Sequence, residues 1–391
     1  MTRRSPAPRL PARSEAELQQ RQRQGTLRVR SARDYRALVA SDGLEQAYGA
    51  TDVVVAGTAE FSDQAWLQLS LGPSEPPIRL RDVELGGVAA QACGAGGDLL
   101  LPMGSSPAAP HRRGGAQVLA DLLAGRRLSL RASGEATALQ PRRELHSDLD
   151  LNAIGGGRLV LQRGVVENGL VAVSTAAGVL RSPFGPLLGP LGNALVSCSG
   201  ADSIGLAMPG LSLLGPGSPL LVAGAVGWVL GSGSAHQPQP RRLASGHACT
   251  PGAVAAVAAD LHALDPRWLR ACFFEGHGSA LLVGVAAPIP LLDATVALQA
   301  SIGDEALEAP VLDLSVPRRI KPSLGVVSYG QLHTGFLELE GRRLPAAPAH
   351  SPRLAASIAA ELISRLEQDR FPLRLPPLPL SQRPTLLPLE G

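Results

Sequence analysis

Short, wholly apolar runs, with Gly and Pro between them, recur along this chain. They include Val53-Val-Val-Ala56, Leu159-Val-Leu161, Leu170-Val-Ala-Val173, Ala194-Leu-Val196, Leu220-Leu-Val222 and Ala280-Leu-Leu-Val283. A run without polar alternation suits a strand covered on both faces, because neither row of side chains then meets water. The same punctuation excludes a membrane helix. The most apolar tract, 204–230, is broken by Pro209, Pro216 and Pro219, well short of the about twenty apolar residues a span requires. Helical signals lie between the runs. Ser14-x-x-Glu17 is a capping box, 31–40 reads as a second helix, and Gly114-Gly115 opens a third that Gly125 stops. Ser351-Pro352 starts a helix whose Leu354, Ile358, Leu362 and Leu366 form one apolar face. Ala253–Leu264 reads as an Ala-rich helix, and Pro266 as the first residue of the next. Alternating short strands and helices predict an α/β fold: mixed or parallel sheets with flanking helices, one large domain with room for two lobes. Its expected limits are 14–372, between a disordered Arg/Pro tail (1–13) and a Pro/Leu-rich tail (373–391) lying across the surface.

Composition removes several function classes. Lys321 is the only lysine, so no phosphate-binding Gly-x-x-x-x-Gly-Lys loop is possible, and a Schiff base has a single candidate set in what reads as a solvated turn. Basic residues are scattered and aromatics make up 3%, which argues against a nucleic-acid groove or stacking platform. The four cysteines have neither CxxC nor zinc spacing, so no metal site is expected, and reduced thiols point to the cytoplasm. The basic start lacks the apolar segment of a secretory signal. No bound cofactor is indicated.

Several residues are candidates for chemistry. Cys198 follows a strand-like run and precedes a Gly, a common place for a site residue; packing as a small buried thiol is the more ordinary fate. Cys249 sits near His247 on an expected exposed loop, while Cys93 and Cys272 read as core. His236 follows the Gly231-Ser-Gly-Ser-Ala turn, where it can shuttle protons or pin the loop. His277 stands between Gly276 and Gly278, which permit close backbone approach to a ligand. Thr58 and Asn193 flank strand-like runs and can bind a carboxylate or phosphate; Asn193 can equally supply turn geometry. Gly94-Ala-Gly-Gly97 and Gly155-Gly-Gly157 are weak anion nests. Glu167-Asn168-Gly169 matches the Glu-Asn-Gly site of some CoA transferases, although a hairpin turn there fits better.

Taken in order, several blocks resemble the homocysteine biosynthesis (sulfur-incorporation) family. They are Asp52-Val-Val-Val-Ala-Gly57-Thr58, Leu71-Gly72, Glu75-Pro76-Pro77-Ile78, Leu191-Gly192-Asn193-Ala194, Gly231 to Pro238 with His236, Gly276-His277-Gly278-Ser279 and Pro288-Ile-Pro290. The resemblance covers about residues 14–372. It implies sulfur transfer from a cysteine persulfide to the aldehyde carbon of aspartate semialdehyde, a small-molecule substrate, with electrons from a ferredoxin-like protein. Counting along the family pattern, its two cysteines fall at Asp63 and Leu139, neither of which can carry a persulfide. The resemblance therefore implies either a relocated thiol, with Cys198 the first choice and His236 as proton shuttle, or direct use of sulfide. Thr58, Asp63, Asn193 and His277 are the expected substrate-binding residues. A non-catalytic paralogue that binds a metabolite or partner through the same pocket is the alternative.

Overall fold

The computed structural model describes residues 10–93, 97–105 and 113–389. Its spine is the strand Val53–Ser62, parallel to Val29–Ser31 on one side and antiparallel to Gly278–Pro290 on the other. The first seven residues of Val53–Ser62 and all thirteen of Gly278–Pro290 are buried, as expected for apolar runs in a sheet covered on both faces. From this pair a fourteen-stranded sheet continues through Pro219–Val222, Ala225–Ser232, Val254–Asp260 and Gly156–Val166 to Ala65–Ser70 and an antiparallel meander. A six-stranded sheet packs Val171–Val173 between Glu308–Asp313 and Ala194–Val196, and has its own hydrophobic core. The architecture is thus mixed α/β, with helices flanking large sheets and two cores.

Helix Pro352–Glu367 covers the spine. Ser351 caps it, and Ile358, Leu362 and Leu366 are buried. It approaches closely because Gly57 has no side chain: a Cβ there would overlap the Ala355 carbonyl oxygen, which is helix backbone and cannot move alone. Gly57→Ala is therefore expected to destabilise the protein by about 1–3 kcal/mol, read as a lower urea midpoint at unchanged slope. An unchanged midpoint would show that the helix is not seated on Gly57.

Four local expectations are corrected. The Ala-rich segment read as a helix is the strand Val254–Asp260, with six of its seven residues buried between two neighbouring strands. Alanine's helix propensity is worth under about 1 kcal/mol per residue and yields to the sheet. Pro266 opens only the single 3₁₀ turn Pro266–Trp268, and Leu269–Phe274 follows as a strand. Asn168-Gly169 makes no hairpin; it carries the chain from Gly156–Val166 in the large sheet to Val171–Val173 in the smaller one. Cys249 is buried rather than loop-exposed, whereas Cys93 and Cys272 are half-buried rather than core.

Of the tails, residues 1–9 lie outside the described residues, as do 94–96 of one proposed glycine nest. Arg13 is docked, donating to the Thr51 and Tyr48 carbonyls, both at 2.6 Å. In the C-terminal segment Leu380 is fully buried, while Leu387 and Leu389 are exposed. Among the described residues no helix is long and apolar enough to cross a membrane.

Candidate active site

Asp63 follows directly on the end of Val53–Ser62. Across from it, the turn Glu275-Gly276-His277 joins Leu269–Phe274 to Gly278–Pro290. Gly276 adopts a left-handed φ of 74°, which a side-chain-bearing residue enters only with strain. The turn brings His277 Nε2 to 3.0 Å from Asp63 Oδ2. A carboxylate only accepts, so Nε2 is the donor here and, in a neutral ring, Nδ1 is the acceptor nitrogen. Two residues separated by 214 positions thus form an oriented carboxylate–imidazole pair.

The hairpin Gly178–Ser182/Gly185–Gly189 closes this end of the molecule. Arg181 Nη1 donates to the Glu275 carbonyl at 2.9 Å, fastening the hairpin to the His277 turn. Asn193 fixes the hairpin's shape: its Oδ1 accepts from the Leu188 N–H at 2.7 Å and its Nδ2 donates to the Pro186 carbonyl at 3.1 Å. That is the turn-building role rather than a ligand contact. At the hairpin tip Pro183 and Phe184 help line a cleft of about 90 Å³ with Glu60, Ser62, Asp63, Arg163 and Ser197. This is far below the ~300–1,000 Å³ of a cofactor-sized pocket, so the cleft encloses only a small molecule.

Two charged residues of the cleft were not singled out from the sequence. The Glu60 carboxyl is pushed up to about 7 by burial, partly opposed by the positive charge of Arg163. It can therefore hold or release a proton near neutral pH. Arg163, on the strand Gly156–Val166, is held below the usual guanidinium range by burial, with Glu60 and Asp63 acting in the opposite sense. The available signal was faint: Glu60 is the one ionisable residue in the run 53–62.

The other candidates lie elsewhere. Thr58 is buried within its strand, opposite Val285. Cys198 is 3% exposed and sits behind the cleft wall, where a Cβ on Gly169 would overlap its own. It lines a separate cavity of about 620 Å³ with Arg36, His333 and His350. Burial first, and then the charge of Glu60, push its thiol up to about 11, so it is not the thiolate that nucleophilic sulfur chemistry needs. His236 is fully buried. Its Nδ1 accepts from the Val254 N–H at 3.0 Å, and burial lowers its pKa, which keeps the ring neutral and pinning its Gly-rich loop. Leu139 is 86% exposed and takes no part in lining the cleft.

Glu167 of the Glu-Asn-Gly segment is sealed from solvent. It pairs with Arg242 and accepts from the Gly210 and Ala253 N–H groups at 2.6 and 2.9 Å. Asn168 donates to the Ala248 and Glu308 carbonyls and accepts from the Tyr329 hydroxyl at 2.7 Å. The segment ties the two sheets together and offers no reachable nucleophile. Lys321 Nζ donates to the Val316 carbonyl at 2.7 Å. Among the described residues no group of three or more His, Cys, Asp or Glu is arranged to hold a metal ion.

Comparison with known proteins agrees with the blocks. L-aspartate semialdehyde sulfurtransferase of Methanosarcina acetivorans is 29% identical over 359 residues, covering 92% of this chain and 70% of the relative. The protein of the same name from Methanocaldococcus jannaschii is 27% identical over 333 residues, covering 83% of this chain and 63% of the relative. No solved structure matches. The family model described as homocysteine biosynthesis enzyme, sulfur-incorporation matches residues 27–373. That match spans most of the sequence, and the chain belongs to this family.

Proposed function

We propose that this chain incorporates sulfur into L-aspartate semialdehyde, or a closely related small aldehyde, and that it uses free sulfide rather than a protein persulfide. The observation that carries the reading is the Asp63–His277 pair, in which Asp63 lines the small cleft and stands where the family pattern has a cysteine. Family membership supplies the reaction class, and the size of the cleft suits a small aldehyde.

Hydrosulfide attacks the aldehyde carbon, forming the C–S bond as the carbonyl π pair moves to oxygen. The Glu60 acid protonates that oxygen, giving a hydroxythiol. Glu60 is reprotonated from solvent; His277 Nδ1 then takes the S–H proton while Glu60 gives its new proton to the departing oxygen, which leaves as water as the C–O bond breaks. The resulting thioaldehyde takes up two electrons and two protons to become the thiol. Those electrons come from a separate ferredoxin-like protein, and we assign the reaction to the cytoplasm.

The test is purified chain supplied with L-aspartate semialdehyde, sulfide and a low-potential one-electron reductant. Homocysteine is the expected product. Binding of the aldehyde without any product would instead identify a metabolite-binding paralogue.

A further inference from the structure

We propose that Arg163 is the carboxylate-binding residue of the cleft, so that its ligands are short-chain amino acids and amino aldehydes bearing a free α-carboxylate. This rests on reading the cleft as the substrate site and adds the feature by which substrates are selected.

Arg163 carries an unmatched charge. Arg163 lies beside Asp63, because the next residue down its strand, Gln162, donates its backbone N–H to the Gln64 carbonyl at 3.0 Å. Its guanidinium donates from Nη1 to the Ser234 carbonyl at 3.1 Å. Among the described residues it makes no ion pair: Glu60 and Asp63 act on it only through their fields. A guanidinium carries five N–H donors in a planar fork, and half-buried Arg163 has no anion among the described residues to match them. A carboxylate is the group whose two oxygens match that fork.

A second orphan sits in the same cleft. The Ser62 hydroxyl is buried and has no hydrogen-bond partner, yet Ser62 lines the cavity together with Arg163. A carboxylate oxygen has lone pairs to spare for it. The cleft also holds the carboxyl of Asp63, which suits the ammonium group of the same ligand, and leaves Glu60 as the acid beside the aldehyde. One cation, one free hydroxyl and two carboxyls around about 90 Å³ describe a site for a small zwitterion.

The test is calorimetric titration of the full-length chain with L-homoserine and with L-homoserinamide, whose carboxylate is blocked. Wild type is expected to bind homoserine at least about tenfold more tightly than the amide. Arg163→Met should weaken homoserine by about 10- to 100-fold, the worth of a charge-assisted hydrogen-bond pair, and erase the difference between the two ligands. Arg163→Lys should restore part of it. Equal binding of the two ligands by wild type, binding of neither, or full homoserine affinity in Arg163→Met would overturn the proposal. If Arg163→Met does not fold, as judged by circular dichroism, the wild-type ratio and Arg163→Lys decide. Arg163-dependent homoserine binding without homocysteine formation would leave this proposal standing while the reaction reading fails.

Discussion

Glu60→Gln is expected to slow homocysteine formation by about 10²- to 10⁴-fold, the usual loss for a general acid, and at the same time to stabilise the protein above neutral pH. Burial raises the Glu60 carboxyl from 4.5 to about 7, so between those values the native state holds a proton that the unfolded state has released. Stability from this group is therefore complete below about pH 4.5 and is lost as pH rises through about 7. At roughly 1.4 kcal/mol per unit, the loss amounts to at most about 3–4 kcal/mol. Glutamine is neutral at every pH and suffers no such loss. Urea unfolding should show variant and wild type close together at pH 5, with the variant the more stable at pH 8. At constant hydrosulfide, wild-type activity should fall above about pH 7 as the acid form disappears. Parallel stability profiles, or unimpaired activity in the variant, would remove Glu60 from the mechanism.

Arg242→Met should produce the largest loss of stability, about 3–5 kcal/mol. Glu167 has no solvent exposure, and removing Arg242 leaves its carboxylate with only the Gly210 and Ala253 amides. The double variant Glu167→Gln, Arg242→Met should recover much of that loss, because an amide costs far less to bury than an unpaired charge. Denaturant midpoints of the single and double variants decide it. If the single variant is as stable as wild type, the pair is not what holds this junction between the sheets. The same burial removes the CoA-transferase reading, since a nucleophilic carboxylate must reach its thioester.

Much of the fold was legible because burial on both faces leaves a direct mark. The run Val53-Val-Val-Ala56 is a central strand, and the Ser14 and Ser351 caps start helices where expected. The segment 254–260 was not legible, because an alanine strand and an alanine helix have the same composition. Its identity is set by the neighbouring strands Ala225–Ser232 and Gly156–Val166. The site divides in the same way. Asp63 and His277 could be singled out by their blocks, but their pairing is a contact across 214 positions that no local pattern encodes. Glu60 left only a faint mark and Arg163 none, since an isolated charge in a strand gains its chemistry only from what surrounds it. His236 stood out equally well in the sequence, yet its Nδ1 is spent on holding Val254.

Sulfur transfer here needs no protein thiol, and Cys198 is a thiol packed directly against the cleft-lining Gly169. The decisive measurement is the homocysteine rate of wild type beside Cys198→Ser, each supplied with L-aspartate semialdehyde, sulfide and a low-potential reductant. Equal rates within about twofold are expected, because the Cys198 thiol is pushed up to about 11 and stays protonated at neutral pH. No product from wild type, or a folded Cys198→Ser variant slowed by about tenfold or more, would contradict the account.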